Sequence, residues 1–96
     1  MNLMKILQNK KEEILSIAQS HGAISLRLFG SLARGDDHPE SDIDFLVEME
    51  PGRSLLDLIA MKHEIEDLIH KKVDVLTEQA LSPYIRKDVL RDSIAL

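Results

Sequence analysis

Apolar residues recur at helical spacing from about residue 2 to His21, where Leu3, Leu7, Ile14 and Ala18, with Met4 and Ile17 beside them, trace one stripe. Gly22 stands where a helix ends in the left-handed conformation, and the charges from Lys10 to Glu13 read as its solvated face. The period then shortens to two. Ile24 to Phe29 predicts a short strand, and Ile43 to Met49 a second, with Ile43, Phe45, Val47 and Met49 on one face. Pro51-Gly52 ends that strand. Ser54 followed by Asp57 forms a capping-box pattern opening a helix with Leu55, Leu58, Ile59, Ile65, Leu68 and Ile69 as one stripe. His70, Lys71 and Lys72 suit the negative end of its dipole. Val73 to Thr77 predicts a third strand. Ser82-Pro83 supplies an N-cap and a first-turn proline for a last helix running through Val89 and Leu90. The order helix, strand, strand, helix, strand, helix predicts an α/β (α+β) fold, a small mixed β-sheet with helices packed against it.

Composition narrows the function classes. Ninety-six residues, 44% apolar, suit one domain over residues 1–96, with little room for a separate acceptor-binding unit. Twelve Lys and Arg against seventeen Asp and Glu give a formal charge of −5, which disfavours strong direct nucleic-acid binding. Without cysteine, neither a disulfide scaffold nor a thiolate metal site can form. The N-terminal stretch lacks a signal-peptide core, and no run reaches the roughly 18 apolar residues of a membrane span, so a cytoplasmic location is expected.

Chemistry concentrates between Phe29 and Val47. Residues two apart on a strand share a face, so Asp42 and Asp44 are expected to point the same way, about 6–7 Å apart along the backbone. Two carboxylates so placed suit Mg²⁺, a hard cation that takes oxygen ligands and keeps substrate phosphates in its shell; a pair of such ions can serve phosphoryl chemistry. Asp74, between Val73 and Val75, repeats the pattern of one acid in an apolar strand. Beside the second strand it becomes a third ligand, or the base for an incoming hydroxyl. Gly30 at a strand end lets a phosphate approach the backbone, Ser31 opens a short helix with a hydroxyl, and Arg34 follows one turn later with a fork of donors. The bland readings are acids that cap strands or face water, an ordinary Gly-Ser turn, and a surface arginine. A Gly-Ser turn ten residues ahead of Asp-x-Asp favours the chemical reading.

Gly30-Ser31, Ala33-Arg34-Gly35, Ser41-Asp42-Ile43-Asp44 and Val73-Asp74-Val75 together resemble the minimal nucleotidyltransferases of the DNA polymerase β superfamily, over nearly the whole chain. The branch most similar is that of the MntA-type antitoxins, which are paired with HEPN-domain toxin ribonucleases. The resemblance implies the minimal nucleotidyltransferase fold, ATP as substrate with Mg²⁺, two ions expected, and transfer of AMP to a tyrosine hydroxyl of the HEPN toxin, which silences it. It implies that Gly30 and Ser31 hold the triphosphate with Arg34 as a further phosphate ligand. Asp42, Asp44 and Asp74 become the metal-binding and catalytic carboxylates. Two rivals stand beside this reading: a noncatalytic antitoxin that neutralises its partner by covering it, and a transferase for a small molecule or tRNA end. A pure binder has no need of three clustered acids, and the acidic balance weighs against tRNA.

Other polar residues carry less. His38 reads as an exposed loop residue, and His21 and His63 have no zinc-ligand spacing. Arg86, Lys87 and Arg91, interleaved with Asp88 and Asp92, read as a solvated helix face rather than a nucleotide-binding charge. Tyr84 has two readings, a base stack or a sheet contact.

Overall fold

The structure, a computed structural model, describes residues 3–35 and 42–96. Along the chain run α1 (Leu3–Asn9), α2 (Lys11–Ser20), β1 (Ala23–Phe29), α3 (Ser31–Arg34), β2 (Ile43–Met49), α4 (Leu55–Ile69) and β3 (Val73–Thr77). A 3-10 turn at Glu78–Ala80, α5 (Pro83–Asp92) and β4 (Ile94–Ala95) follow. The sheet order is β3-β2-β1-β4, with β1 antiparallel to β2 and β4 and β2 parallel to β3. The α/β prediction therefore holds, with a mixed sheet and helices against it.

Period-two alternation sorts the strands into two faces. Leu28, Ile43, Phe45 and Val73 turn to one face and are fully buried with Leu7, Ile14, Met61 and Ile65 from the helices. α2 packs on α4 and β1, and α4 on β3, so this face holds the core. Ser25, Arg27, Asp44, Glu48, Asp74 and Leu76 belong to the opposite face, and α5 packs on β1.

The N-terminal apolar stripe is carried by two helices, not the single one expected from residue 2 to His21; residue 2 itself lies outside the described residues. The break falls at Lys10, with φ −106° and ψ 11°. Continuing the Leu3–Leu7 stripe needs an apolar residue near position 10 or 11, and lysines stand at both. Nothing there pins the turn to the core, and α2 takes a new direction to bury Ile14 and Ala18. Gly22, at φ 92°, ends the segment as expected.

The predicted α4 stripe needs a similar correction. Leu55 and Ile59 are 68% and 42% exposed, and the buried positions are Met61, Ile65 and Ile69, flanked by partly buried Leu58 and Leu68. Spacings of three and four from Leu58 through Met61 to Ile65 keep to one face, while Leu55 and Ile59 fall beside it. The capping box is present: Ser54 Oγ accepts from the Leu56 N–H, and Asp57 Oδ2 accepts from the Ser54 N–H. β4 was not expected, since two exposed residues carry no periodicity.

α5 is pinned by side chains whose role the sequence did not reveal. Arg27 Nε donates to Ser93 Oγ at 2.7 Å and its Nη2 to the Ser93 carbonyl at 2.9 Å, while Ser93 Oγ donates to the Leu90 carbonyl at 2.8 Å. Ser93 is buried, so this pairing satisfies polar groups that would otherwise carry a desolvation cost of about 1–3 kcal/mol each. At the other end Arg86 donates to the carbonyls of Glu78 and Leu81, which corrects its reading as part of a solvated face. Arg91 is exposed and paired with Asp88 and Asp92, as that reading expected. No helix among the described residues is long and apolar enough to cross a membrane.

Candidate active site

The sheet register brings the predicted acids together. Asp44 pairs with Phe29 on its β1 side and with Asp74 on its β3 side. Adjacent strands lie about 4.8 Å apart and paired residues share a face, so the Asp44 and Asp74 carboxylates stand side by side on the open face. Asp42 is exposed and sits immediately ahead of β2 rather than within it. Its charge acts on Asp44 from there.

The Gly-Ser turn abuts this pair. β1 ends at Phe29, and Gly30 follows with φ 76° and ψ −152°, a conformation open to glycine and strained for side-chain-bearing residues. Asp44 Oδ2 lies only 2.3 Å from the position a Gly30 Cβ would take. The carboxylate thus fills the space left by the missing side chain. Ser31 opens α3, the Arg34 N–H donates to the Gly30 carbonyl at 3.1 Å, and Gly35 ends the turn in the left-handed conformation.

A cleft of about 310 Å³ borders the turn, lined by Phe29, Gly30 and Arg34 on one side and by Ile85, Asp88 and Val89 of α5 on the other. A larger cleft of about 380 Å³ lies toward the far end of the same strands, among Ser25, Arg27, Glu48 and Thr77. None of the predicted site residues lines it, whereas Gly30 and Arg34 line the smaller one, and Asp42, Asp44, Asp74 and Ser31 line neither. The α5 wall is the part of the site that sequence reasoning missed. Its available signal was the single helix face shared by Ile85, Asp88, Val89 and Asp92.

Electrostatics mark the same spot. Burial pushes the Asp44 carboxyl above its ordinary value, the charges of Asp74 and then Asp42 push it further, and Arg34 pulls it back. Folded protein therefore holds this proton more tightly than the unfolded chain does. The resulting stabilisation is fully present below the unfolded carboxyl value of about 3.9 and is lost as pH rises through the higher folded value. Asp44→Asn removes that loss. In metal-free buffer the variant is expected to melt a few °C above the parent at pH 7, with the gap shrinking toward pH 4, each 1 kcal/mol being worth about 4–8 °C in a chain of this size. Thermal melts at the two pH values check it, and an equal gap at both would remove the electrostatic account.

Among the described residues no three His, Cys, Asp or Glu side chains are grouped so as to hold a metal ion by themselves. This donor set still fits Mg²⁺, which is commonly bound through one or two carboxylates and completed by water and substrate phosphates. Asp44 would supply an oxygen against the Gly30 turn, beside two further acids whose repulsion a cation would relieve.

The remaining polar candidates lie elsewhere. His21 contacts Glu64, and its Nδ1 lies 4.0 Å from Asp57, which ties the end of α2 to α4. His63 and Lys87 are exposed, and Tyr84 is 94% exposed, so it does not pack on the sheet. His38 lies outside the described residues.

Comparison with known proteins gives a consistent result. The nucleotidyltransferase domain family matches residues 8–96. A candidate protein adenylyltransferase of Methanocaldococcus jannaschii, MJ0435, is 40% identical over 84 residues, covering 88% of this chain and 90% of its own length. Protein adenylyltransferase MntA of Thermococcus cleftensis is 35% identical over 91 residues, covering 86% and 92%. Among solved structures, one described as a candidate minimal nucleotidyltransferase superposes with a TM-score of 0.87 at 43% identity, covering 100% of this chain and 97% of that one. A toxin–antitoxin crystal structure with AMP-PNP shares the fold, with a TM-score of 0.74 at 18% identity, covering 88% and 70%.

Proposed function

The chain belongs to the nucleotidyltransferase domain family, and on that premise we propose that it moves AMP from ATP onto a tyrosine hydroxyl of a partner HEPN-domain toxin ribonuclease, silencing it. The observation that carries this reading is the register of Asp44 with Asp74, which sets two acids side by side with the Asp44 carboxylate against the Gly30 turn. Relatives named as protein adenylyltransferases, MntA among them, and fold neighbours in toxin–antitoxin complexes support a protein acceptor.

Asp42, Asp44 and Asp74 would hold Mg²⁺, which when bound neutralises phosphate charge and positions the reacting oxygens. The Gly30 turn, the Ser31 hydroxyl and the Arg34 guanidinium bind and orient the triphosphate of ATP. The tyrosine oxygen attacks the α-phosphorus in line; the new O–P bond forms as the bond to pyrophosphate breaks. Asp74, the most exposed acid of the adjacent-strand pair, takes the phenolic proton. A hydroxyl acceptor must reach Asp74 from solvent, to which this residue is exposed.

The test is incubation with α-labelled ATP, Mg²⁺ and the HEPN toxin, read by label on the toxin and by its ribonuclease activity. Label on toxin tyrosine with loss of ribonuclease activity is the expected result. Ribonuclease inhibition without label would assign the chain to covering its partner, and label on tRNA or a small hydroxyl compound instead would move it to another transferase class.

A further inference from the structure

β3 forms one edge of the sheet, and its hydrogen-bonding direction can be read residue by residue. Ile43, which pairs with Val73 in the parallel register, donates its N–H to the Lys72 carbonyl at 3.1 Å. Alternation along a strand then turns the backbone groups of Asp74 and Leu76 toward β2 and those of Val73, Val75 and Thr77 outward. Glu66 Oε2 accepts the Val73 N–H at 3.0 Å and so occupies the first outward donor. From the Val73 carbonyl through Val75 to Thr77, no strand lies alongside among the described residues. Side chains on this stretch alternate as well: Asp74 and the 37%-exposed Leu76 share the face that carries Asp44.

We propose that this edge docks the protein acceptor: an extended segment adds beside β3 as a further strand and presents its hydroxyl to Asp74. The inference rests on the proposed AMP transfer to protein and adds how the acceptor is held. Cross-strand neighbours have Cβ atoms about 5 Å apart, so the residue facing Asp74 arrives on the same face as both acids. The next residue on that face lies opposite Leu76, which favours an apolar side chain two positions from the hydroxyl. Main-chain bonds fix the depth of the segment and alternate side chains fix its register, the general logic of strand addition.

A second copy of this chain is the poorer occupant. Antiparallel pairing about Val75 would lay Leu76 of each copy over Asp74 of the other and close the site. Five-residue strands extend only about 17 Å, and such a pair covers far less than the roughly 1,200 Å² of a stable interface. A short, open edge suits a substrate that must leave after each turnover.

The experiment uses nine-residue synthetic peptides with a central tyrosine, a leucine two residues later and lysines at both ends. The parent peptide and a series methylated at one backbone nitrogen at a time are incubated with the chain, Mg²⁺ and α-labelled ATP. Expected is label on the parent, a loss of tenfold or more in kcat/KM at the two or three alternate positions whose N–H groups face the outward carbonyls of Val73, Val75 and Thr77, and less than twofold at the other positions. Leu76→Lys should raise KM for the parent peptide about tenfold and leave KM for ATP unchanged. A uniform response to methylation, or peptide kinetics untouched by Leu76→Lys, overturns the edge while leaving AMP transfer standing. Label on a folded protein but on no peptide overturns it too, as does a dimer in light scattering that Leu76→Lys dissociates. Absence of label on any hydroxyl acceptor, with ATP still bound, overturns the edge and AMP transfer together.

Discussion

Replacing both Asp42 and Asp44 with Asn is expected to abolish AMP transfer, a loss on the order of 10³-fold or more, with far-UV circular dichroism and cooperative melting retained. The size follows from what the reaction asks of this corner. In the proposed reaction, attack on a triphosphate gathers charge that a cation would neutralise, and holding that cation depends on carboxylates rather than amides at these positions. The fold asks much less. Asp42 is exposed and ahead of β2, and Asp44 sits where burial and its acidic neighbours oppose its charge. Asn is nearly isosteric and removes that repulsion, so activity and stability should move in opposite directions. Retained label on the toxin with the double variant would remove both residues from the mechanism; an unfolded variant would assign them to the fold.

That opposition also explains why the acids were legible before any coordinates. Alternation with apolar residues is ordinary for a half-buried strand, but aspartate is a poor strand former, so Asp-x-Asp at a strand start and a lone Asp74 between two valines stand out. Ile43 and Phe45 declared the buried face by period, and Asp44 fell on the other. Asp74 could be placed on a strand but not beside Asp44, because register between strands separated by α4 is a tertiary property. α5 was harder still. Its cleft-facing side mixes Ile85 and Val89 with Asp88 and Asp92, a pattern that looks like an ordinary amphipathic surface until Phe29 and Gly30 are seen opposite it. The Arg27–Ser93 pairing left no trace at all, since residues 66 apart in sequence carry no periodic signal. Leu55 and Ile59 misled for a related reason: a stripe drawn by residue type alone cannot tell which apolar positions fall on the face that packs and which fall beside it.

Gly30→Ala is expected to cost AMP transfer about 10²-fold and the fold about 1–2 kcal/mol, through two separable effects. One is backbone strain, since φ 76° is unfavourable for alanine. The other is displacement of Asp44, whose Oδ2 would lie 2.3 Å from the new methyl group, far inside van der Waals contact. Gly35→Ala is a milder control for the first effect: Gly35 lies in the ordinary left-handed region at φ 79° and ψ 14°, less strained for alanine than the φ 76° and ψ −152° of Gly30, and nothing lies within 4 Å of its would-be Cβ. The Gly35 variant should therefore lose less stability than the Gly30 variant, and label transfer should fall severalfold at most. Combining Gly30→Ala with Asp44→Asn should cost transfer little beyond the Asp44 variant alone, since both changes remove the same carboxylate from its place. Thermal melts and initial rates of labelling on the four variants and the parent read this directly. Equal losses of transfer for the Gly30 and Gly35 variants would mean that the turn needs only its backbone conformation, and that the contact between Gly30 and Asp44 does not set the position of the acid.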